Sequence, residues 1–416
     1  MKLRIEKAIY GGDGLARVPA GKTVFVPGTL PGELVEATIA TDRRSFATSE
    51  LDSILEPSPE RVVPGCEYVP RCGGCQYQHA SPAFQLQMKL DILRETMARA
   101  HVAVPVEIAS LAGSPWGYRN RIRLHLMKGA LGYRQRGSHQ LLPVTHCPIA
   151  APLIEQAIVA VARIAAETRL ESFCEEVEFF TNGEQDQLLI SLLPGPRQRF
   201  RDQALEGFAE RLQVEIPALT GVGLLSQNTM THWGRRSVTY TVSGIPYQVS
   251  LGGFFQVNRF LLPELLQLAV TGRTGRLAWD LYSGAGLFAK ALDFEKVTAV
   301  ESEGFSTDDL KKNLEKRLHR VVRSSTLDFL RSQAAAQEKP ELVVVDPPRA
   351  GLGKEICSHL ARVAAADIVY ISCDPATLAR DLQALLQSGY SITTMTLVDL
   401  FPQTFHLETV AFLKRN

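Results

Sequence analysis

The sequence predicts a multidomain α/β protein: a small β-barrel over residues 1–55, a central α+β unit over 56–250 and a doubly wound, mostly parallel sheet over 251–416. Three observations carry this. From Gly252-Gly253-Phe254-Phe255-Gln256-Val257-Asn258 onward, apolar strand runs alternate with helical periodicity. The strand runs there end in loops rich in glycine, proline and carboxylates. At the other end of the chain, short apolar runs are separated by glycine turns, the pattern of a small barrel.

In the barrel, Gly11-Gly-Asp-Gly14 and Pro19-Ala-Gly21-Lys22 punctuate the runs Thr23-Val-Phe-Val26 and Glu33-Leu-Val-Glu-Ala-Thr38. Lys2, Arg4, Lys7, Arg17, Lys22, Arg43 and Arg44 make the unit basic enough to hold RNA. After the linker Glu56-Pro57-Ser58-Pro59 come Cys66, Cys72 and Cys75, with Cys147 available to close a four-thiolate site. Four sulfurs suit tetrahedral zinc or a [4Fe–4S] cluster, and the spacing leaves both open. It is not the Cys-x3-Cys-x2-Cys start of a radical enzyme. Cys174 and Cys357 have no partner pattern and are expected to pack in the core.

Phe84 to Ala100 has helical periodicity, residues 151–170 read as a helix, and 173–250 as α+β. Between Ile108 and Ile154 there is no Asp or Glu, while Arg119, Arg121, Arg123, Lys128, Arg134 and Arg136 are basic. The alternation Arg121-Ile-Arg-Leu-His-Leu predicts a hairpin turning at Lys128-Gly129. Its charge predicts phosphate contacts by Arg121 and Arg134, with Tyr118 and Tyr133 offered to unpaired bases.

In the C-terminal unit, Arg276-Leu-Ala-Trp-Asp280-Leu-Tyr282 runs into the turn Ser283-Gly284-Ala-Gly286, with Leu287–Leu292 expected helical. Glu301 ends the following strand at the offset of an acid that binds ribose hydroxyls. Leu342–Val345 ends in Asp346-Pro347-Pro348-Arg349-Ala350-Gly351. Ile368–Ile371 ends in Ser372-Cys373-Asp374, and Pro375 opens a helix. A thiol there, beside unpaired helix N–H groups, is expected to have its pKa lowered from about 8.5 to roughly 3.5–7.5. Gln333-Ala-Ala-Ala-Gln337 is a trivial low-complexity patch, and no internal repeats are seen. Together, Asp280, the GxG turn, Glu301 and the Asp-Pro-Pro strand end resemble the S-adenosylmethionine site of Rossmann-like methyltransferases.

The 416 residues, 45% hydrophobic and 21% charged, are ordinary for globular protein. Charges in Met1-Lys-Leu-Arg-Ile-Glu-Lys and the lack of eighteen uninterrupted apolar residues predict neither a signal peptide nor a membrane span. The expected location is the cytoplasm, where disulfides are rare, and the expected state is a monomer.

These motifs, nearly end to end, resemble bacterial RNA uracil-5-methyltransferases, most of all the iron–sulfur 23S ribosomal RNA branch. The resemblance implies a TRAM-like N-terminal barrel, a central RNA-binding domain with the metal cluster, and a C-terminal methyltransferase domain. It implies [4Fe–4S] on Cys66, Cys72, Cys75 and Cys147, and contacts to S-adenosylmethionine from Gln256, Tyr282, Glu301 and Asp346. Cys373 matches the family nucleophile and Glu408, in Phe405-His-Leu-Glu408, its general base. Ribosomal RNA is favoured over the transfer RNA T-loop. The chain departs from the family at Ser283, where a cysteine is usual, at Leu287, where asparagine is frequent, and in Ser302–Leu310. Two other readings compete: an exocyclic-amine N-methyltransferase using Asp346-Pro347-Pro348, and an RNA-binding factor without catalysis.

Overall fold

A computed structural model describes residues 1–18, 21–105, 107–168, 170–195, 202–226, 230–314, 319–332 and 337–416. Pro19 and Ala20 of the second barrel turn, and all of the Gln333–Gln337 patch except Gln337, lie outside the described residues. Residues 2–56 form a six-stranded sheet in the order Lys2–Arg4, Leu34–Asp42, Phe46–Glu56, Thr23–Pro27, Asp13–Arg17, Lys7–Ala8. Alternating side chains, Val24 with Val26 and Val35 with Ala37, point into one apolar core with Leu3 and Ile5.

The central sheet has seven strands, ordered Leu141–Pro143, Ala130–Arg134, Arg121–Met127, Glu176–Thr181, Leu188–Leu193, Leu219–Leu225, Met230–Gly234. Its expected hairpin turns at Lys128 and Gly129, both at positive φ (52° and 73°), the conformation a two-residue hairpin loop requires. Helices Pro152–Thr168 and Asp202–Glu215 belong to this body. A separate two-stranded ribbon, Ser237–Val242 with Ile245–Ser250, follows.

The C-terminal sheet has eight strands, ordered Arg320–Arg323, Asp293–Glu301, Thr274–Leu281, Leu342–Val345, Asp367–Ser372, Glu408–Arg415, Tyr390–Val398, Ala109–Leu111. Successive residues of its inner strands feed opposite cores: Val343 and Val345 face one, Leu342 and Val344 the other. Both faces are therefore covered, as a parallel sheet demands. The edge strand Ala109–Leu111 comes from the stretch that the sequence groups with the central unit, and pairs in parallel with Thr396–Val398. Helix Pro82–Arg99, capped by Ser81 and opened by Pro82, packs its Met88, Leu93 and Met97 into the same C-terminal core.

Leu287–Leu292, expected helical, is a run of turns. The reason is local: the Ala289 N–H donates to the Asp280 side chain at 2.9 Å and so is not free for a helical bond. Cys174 and Cys357 are buried in the cores, as expected.

One tie crosses the molecule where no water reaches. Lys89 (0% exposed side chain) donates to Asp399 (5%) at 2.6 Å and to the Phe401 carbonyl at 2.9 Å. Lys89→Met removes the cation and leaves a buried carboxylate uncompensated, at a cost of about 3–5 kcal/mol. Differential scanning calorimetry should show a fall of several degrees in the transition containing the C-terminal domain; a fall of under about one degree would contradict this role.

Candidate active site

The sheet registers bring the strand ends to one rim. Leu281 lies level with Val300 on one neighbour and Val345 on the other, so Tyr282, Glu301 and Asp346 emerge together. The strand order reverses about Thr274–Leu281, and the crevice at the carboxyl ends beside such a switch point is where open α/β sheets bind ligands. On the antiparallel side, Ser372 opposes Thr409, which sets Cys373 and Glu408 at the same end of neighbouring strands. A cleft of about 670 Å³ is lined by Gln256, Tyr282, Glu301, Asp346, Cys373 and Glu408. All six residues expected from the sequence thus share one cavity.

Each is held by specific neighbours. Gln256 donates its side-chain N–H to Asp346 at 3.0 Å, and its own carbonyl accepts from Asn120. Glu301 accepts the Gly284 N–H on one oxygen (2.8 Å) and the Ser302 and Glu303 N–H groups on the other (both 2.7 Å). A carboxylate has about four lone-pair sites, so this one is fixed in orientation with capacity left for a hydroxyl donor. Tyr282 sits at φ 65°, an uncommon backbone conformation for a bulky side chain, at the end of its strand. The loop after Asp346 closes tightly on the helix Pro375–Gln387: a Cβ on Gly351 (φ 71°) would lie 2.5 Å from the Asp381 carboxylate, which accepts from Leu352 and Gly353 N–H. Only glycine fits there.

The electrostatics overturn one expectation. Cys373 does sit at the mouth of a helix, but Asp374 is the N-cap, and its side chain accepts the Ala376 and Thr377 N–H groups at 3.0 and 2.9 Å. The donors expected to lower the thiol pKa are taken. Burial, followed by the charges of Glu408 and Asp346, pushes Cys373 up to about 12, with Arg349 opposing. Burial raises Asp346 to about 7, against the Gln256 hydrogen bond. Glu408, almost fully buried, is raised well above the carboxylate range by burial and then by Asp346. Crowded acids cannot all ionise easily, so Cys373 holds its proton at neutral pH and Glu408 ionises reluctantly, while Asp346, at about 7, is poised to give or take one.

The basic hairpin also differs from expectation. Arg121 (12% exposed side chain) is paired with Glu178 at 2.7 Å and lies over the Phe180 ring, so it is not free for a phosphate. Tyr118 is fully buried and donates to the Pro402 carbonyl, and Tyr133 packs 3.5 Å from Cys147 Sγ. Tyr118 therefore offers no face to bases, and Tyr133 is half-buried against the cysteine cavity. The acidic partners lie beyond Ile154, which is why the local charge count missed them. Arg134 is half-buried, its guanidinium donating to the His139 carbonyl.

Cys66, Cys72, Cys75 and Cys147 line one separate cavity, walled by Tyr133, Val144 and Arg119. All are free thiols. Among the described residues no three His, Cys, Asp or Glu side chains form a group able to hold a single metal ion.

Phe401, His406, Glu303 and Ser306 line the cleft without a sequence signal, and Arg119, read only as part of the basic hairpin, lines it too. His406, lowered to about 4 by burial and then by Arg349, is neutral, with Arg349 Nη2 3.3 Å from its ring. Phe254 was readable in hindsight: it is 54% exposed at the cleft while Phe255 is buried, the alternation of an extended segment. Two of the family departures turn inward. Ser283 donates to the Asp280 carbonyl at 2.6 Å, and Leu287 is packed in the core.

Residues 82–416 match the tRNA (uracil-5-)-methyltransferase family model, and residues 1–51 match the TRAM domain. An uncharacterized RNA methyltransferase of Streptomyces avermitilis is 32% identical over 99% of this chain and 98% of its own length. The 23S rRNA (uracil(1939)-C(5))-methyltransferase RlmD of Pectobacterium atrosepticum is 33% identical over 96% of this chain and 90% of its own. RlmD of Chromohalobacter salexigens is 32% identical over 100% and 89%. In fold, the chain is similar to the Pyrococcus abyssi tRNA (uracil-54, C5)-methyltransferase crystallised with S-adenosyl-L-homocysteine: TM-score 0.78, 22% identity, 99% of this chain and 100% of that one.

The thiol's environment makes a direct prediction. Alkylation of Cys373 by iodoacetamide should rise about tenfold per pH unit from pH 7 to 10 without levelling, because deprotonation begins only near its raised pKa. Glu408→Gln removes one negative neighbour and should move the curve to lower pH. A plateau near pH 7 in the wild type would show the low-pKa thiol that the helix position alone suggested.

Proposed function

Because the chain belongs to the tRNA (uracil-5-)-methyltransferase family, we propose that it methylates C5 of a uracil in 23S ribosomal RNA through a transient bond between Cys373 and C6. S-adenosylmethionine is the methyl donor. The observation that carries this reading is the meeting of Cys373, Glu408, Asp346 and Gln256 in one cleft beside Tyr282 and Glu301. The ribosomal substrate rests on the activity named for the Pectobacterium and Chromohalobacter relatives. The enzyme is taken to act as a monomer in the cytoplasm. Among the described residues, no helix is long and apolar enough to cross a membrane.

Uracil C5 is too weak a nucleophile to take a methyl group unaided, and covalent addition at C6 supplies the missing electron density. The base reaches the thiol only when single-stranded or turned out of its stack. As Cys373 Sγ bonds to C6, its proton passes to the Asp346 carboxylate, and the C5=C6 electrons move onto the C4 oxygen. C5 then displaces the methyl group from the sulfonium, which leaves as a neutral thioether. The Glu408 carboxylate takes the C5 proton, C5=C6 re-forms, the C6–Sγ bond breaks, the departing thiolate recovers its proton from Asp346, and Glu408 gives up its proton to water. A base whose pKa burial has raised is the stronger acceptor for that proton. Glu301 holds the cofactor's ribose hydroxyls, and Gln256, Tyr282 and Asp346 complete its site.

The same reading assigns a [4Fe–4S] cluster to Cys66, Cys72, Cys75 and Cys147, with zinc as the alternative. Four free thiols on one cavity supply the donors, and the half-buried Arg119 cation beside Cys75 and Cys147 offsets the charge of bound thiolates. Anaerobically purified protein should carry about four iron atoms per chain. Stoichiometric zinc without iron would remove the cluster.

RNA with 5-fluorouridine at the target should trap a denaturation-resistant, methyl-labelled complex, since fluorine cannot leave as a proton. Glu408→Gln should accumulate adduct on ordinary RNA, and Cys373→Ala should form none. Retained methylation by Cys373→Ala would point instead to an exocyclic-amine enzyme. Mass-spectrometric mapping of 5-methyluridine in ribosomal and transfer RNA from a deletion strain separates the two substrates.

A further inference from the structure

The barrel reaches into the catalytic cleft's wall. Tyr10 lies in the turn between two barrel strands, yet its hydroxyl donates to the carbonyl of Cys373 at 3.1 Å, across 363 residues of sequence. The same ring meets Phe405 edge-on, centroids 5.3 Å apart at 88°, and Phe405 in turn packs 4.2 Å from His406. One barrel side chain therefore touches both the loop of Cys373 and the loop that leads to Glu408.

The turn is built to sit this close. A Cβ on Gly12 (φ 97°) would lie 2.8 Å from the Gln76 side chain and 3.6 Å from Phe405. Asp13, next along, is paired with Arg136 at 2.8 Å. Around Cys373, the C-terminal domain ties its own groups: the Asp374 N–H donates to Ser372 Oγ, and Thr377 Oγ1 donates to the Arg349 carbonyl. The carbonyl of Cys373 itself is tied to the barrel. Holding that peptide plane fixes the direction in which the Cα–Cβ bond, and so Sγ, leaves the backbone.

We propose that Tyr10 is a positioning residue for Cys373, so that the barrel completes the active site as well as contacting RNA. This rests on the reading of Cys373 as nucleophile. Tyr10→Phe removes the hydroxyl and keeps the ring against Phe405. In the full-length holoenzyme, single-turnover adduct formation on 5-fluorouridine RNA and kcat should both fall about tenfold, the scale of one lost hydrogen bond. KM for RNA, RNA affinity and the melting temperature should stay at wild-type values. Tyr10→Ala should lose more in rate, and rates are compared at a temperature where circular dichroism shows each variant folded. Adduct formation by Tyr10→Phe at the wild-type rate overturns the proposal, as does a rate loss matched by an equal loss of RNA affinity, which would make the barrel a tether only. No adduct with the wild type sinks the nucleophile reading, and this proposal with it, and is told apart by that arm alone.

Discussion

The loop from Asp399 to Glu408 is where the molecule is tied together, and the buried Lys89–Asp399 pair is its anchor. Segments from the barrel, the cysteine region, the central unit and helix Pro82–Arg99 all meet it. Helix Pro82–Arg99 supplies Lys89 and also Gln85, which exchanges hydrogen bonds with Gln403. The cysteine segment donates the Gln76 and Tyr77 N–H groups to the Gln403 carbonyl. Tyr118 from the central unit holds Pro402, Asn258 holds Leu400, and Tyr10 from the barrel packs on Phe405. A buried ion pair is seldom a net source of stability, but losing either partner is costly, so such a pair specifies one arrangement. Here that arrangement delivers Phe401, His406 and Glu408 to the cleft.

Within the cleft the governing constraint is excess negative potential. Asp346, Glu408 and Cys373 are each raised by burial; the charge of Asp346 raises Glu408 further, and the charges of Glu408 and Asp346 raise Cys373. The resting site therefore stores protons that the reaction must move. A thiol held protonated is unreactive toward stray electrophiles, and a uracil that replaces water and brings its own carbonyl groups changes the local balance only when it is seated. Selectivity for substrate over adventitious alkylation follows from the same crowding that raises the pKa values.

What the sequence made legible was local. Strand ends, the glycine turn, the Lys128-Gly129 hairpin and the Cys66, Cys72 and Cys75 run are each coded within a short stretch, and the structure brings the strand-end candidates to one cavity and the cysteines, with the distant Cys147, to another. What escaped was set by partners distant in the chain. Arg121 looked like a phosphate ligand because Glu178 lies 57 residues away. The Cys373 thiol looked acidic because the N-cap role of Asp374 and the approach of Glu408 were invisible from spacing. The strand Ala109–Leu111 looked central because its partner, Thr396–Val398, is nearly three hundred residues on. Phe401 and His406 had no motif; they are functional by virtue of a loop that other elements hold.

That edge strand and the helix before it also fix an order of events during synthesis. Helix Pro82–Arg99 and strand Ala109–Leu111 leave the ribosome early, but the sheet they complete is not available until Tyr390–Val398 has been made. At about 5–20 residues per second the wait is on the order of tens of seconds. Through that interval the Lys89 ammonium lacks Asp399 and the Phe401 carbonyl, and the core around Met88, Leu93 and Met97 lacks Tyr390, Met395 and Leu397. The nascent chain must keep this amphipathic segment shielded while the central unit folds between the two halves of the C-terminal core.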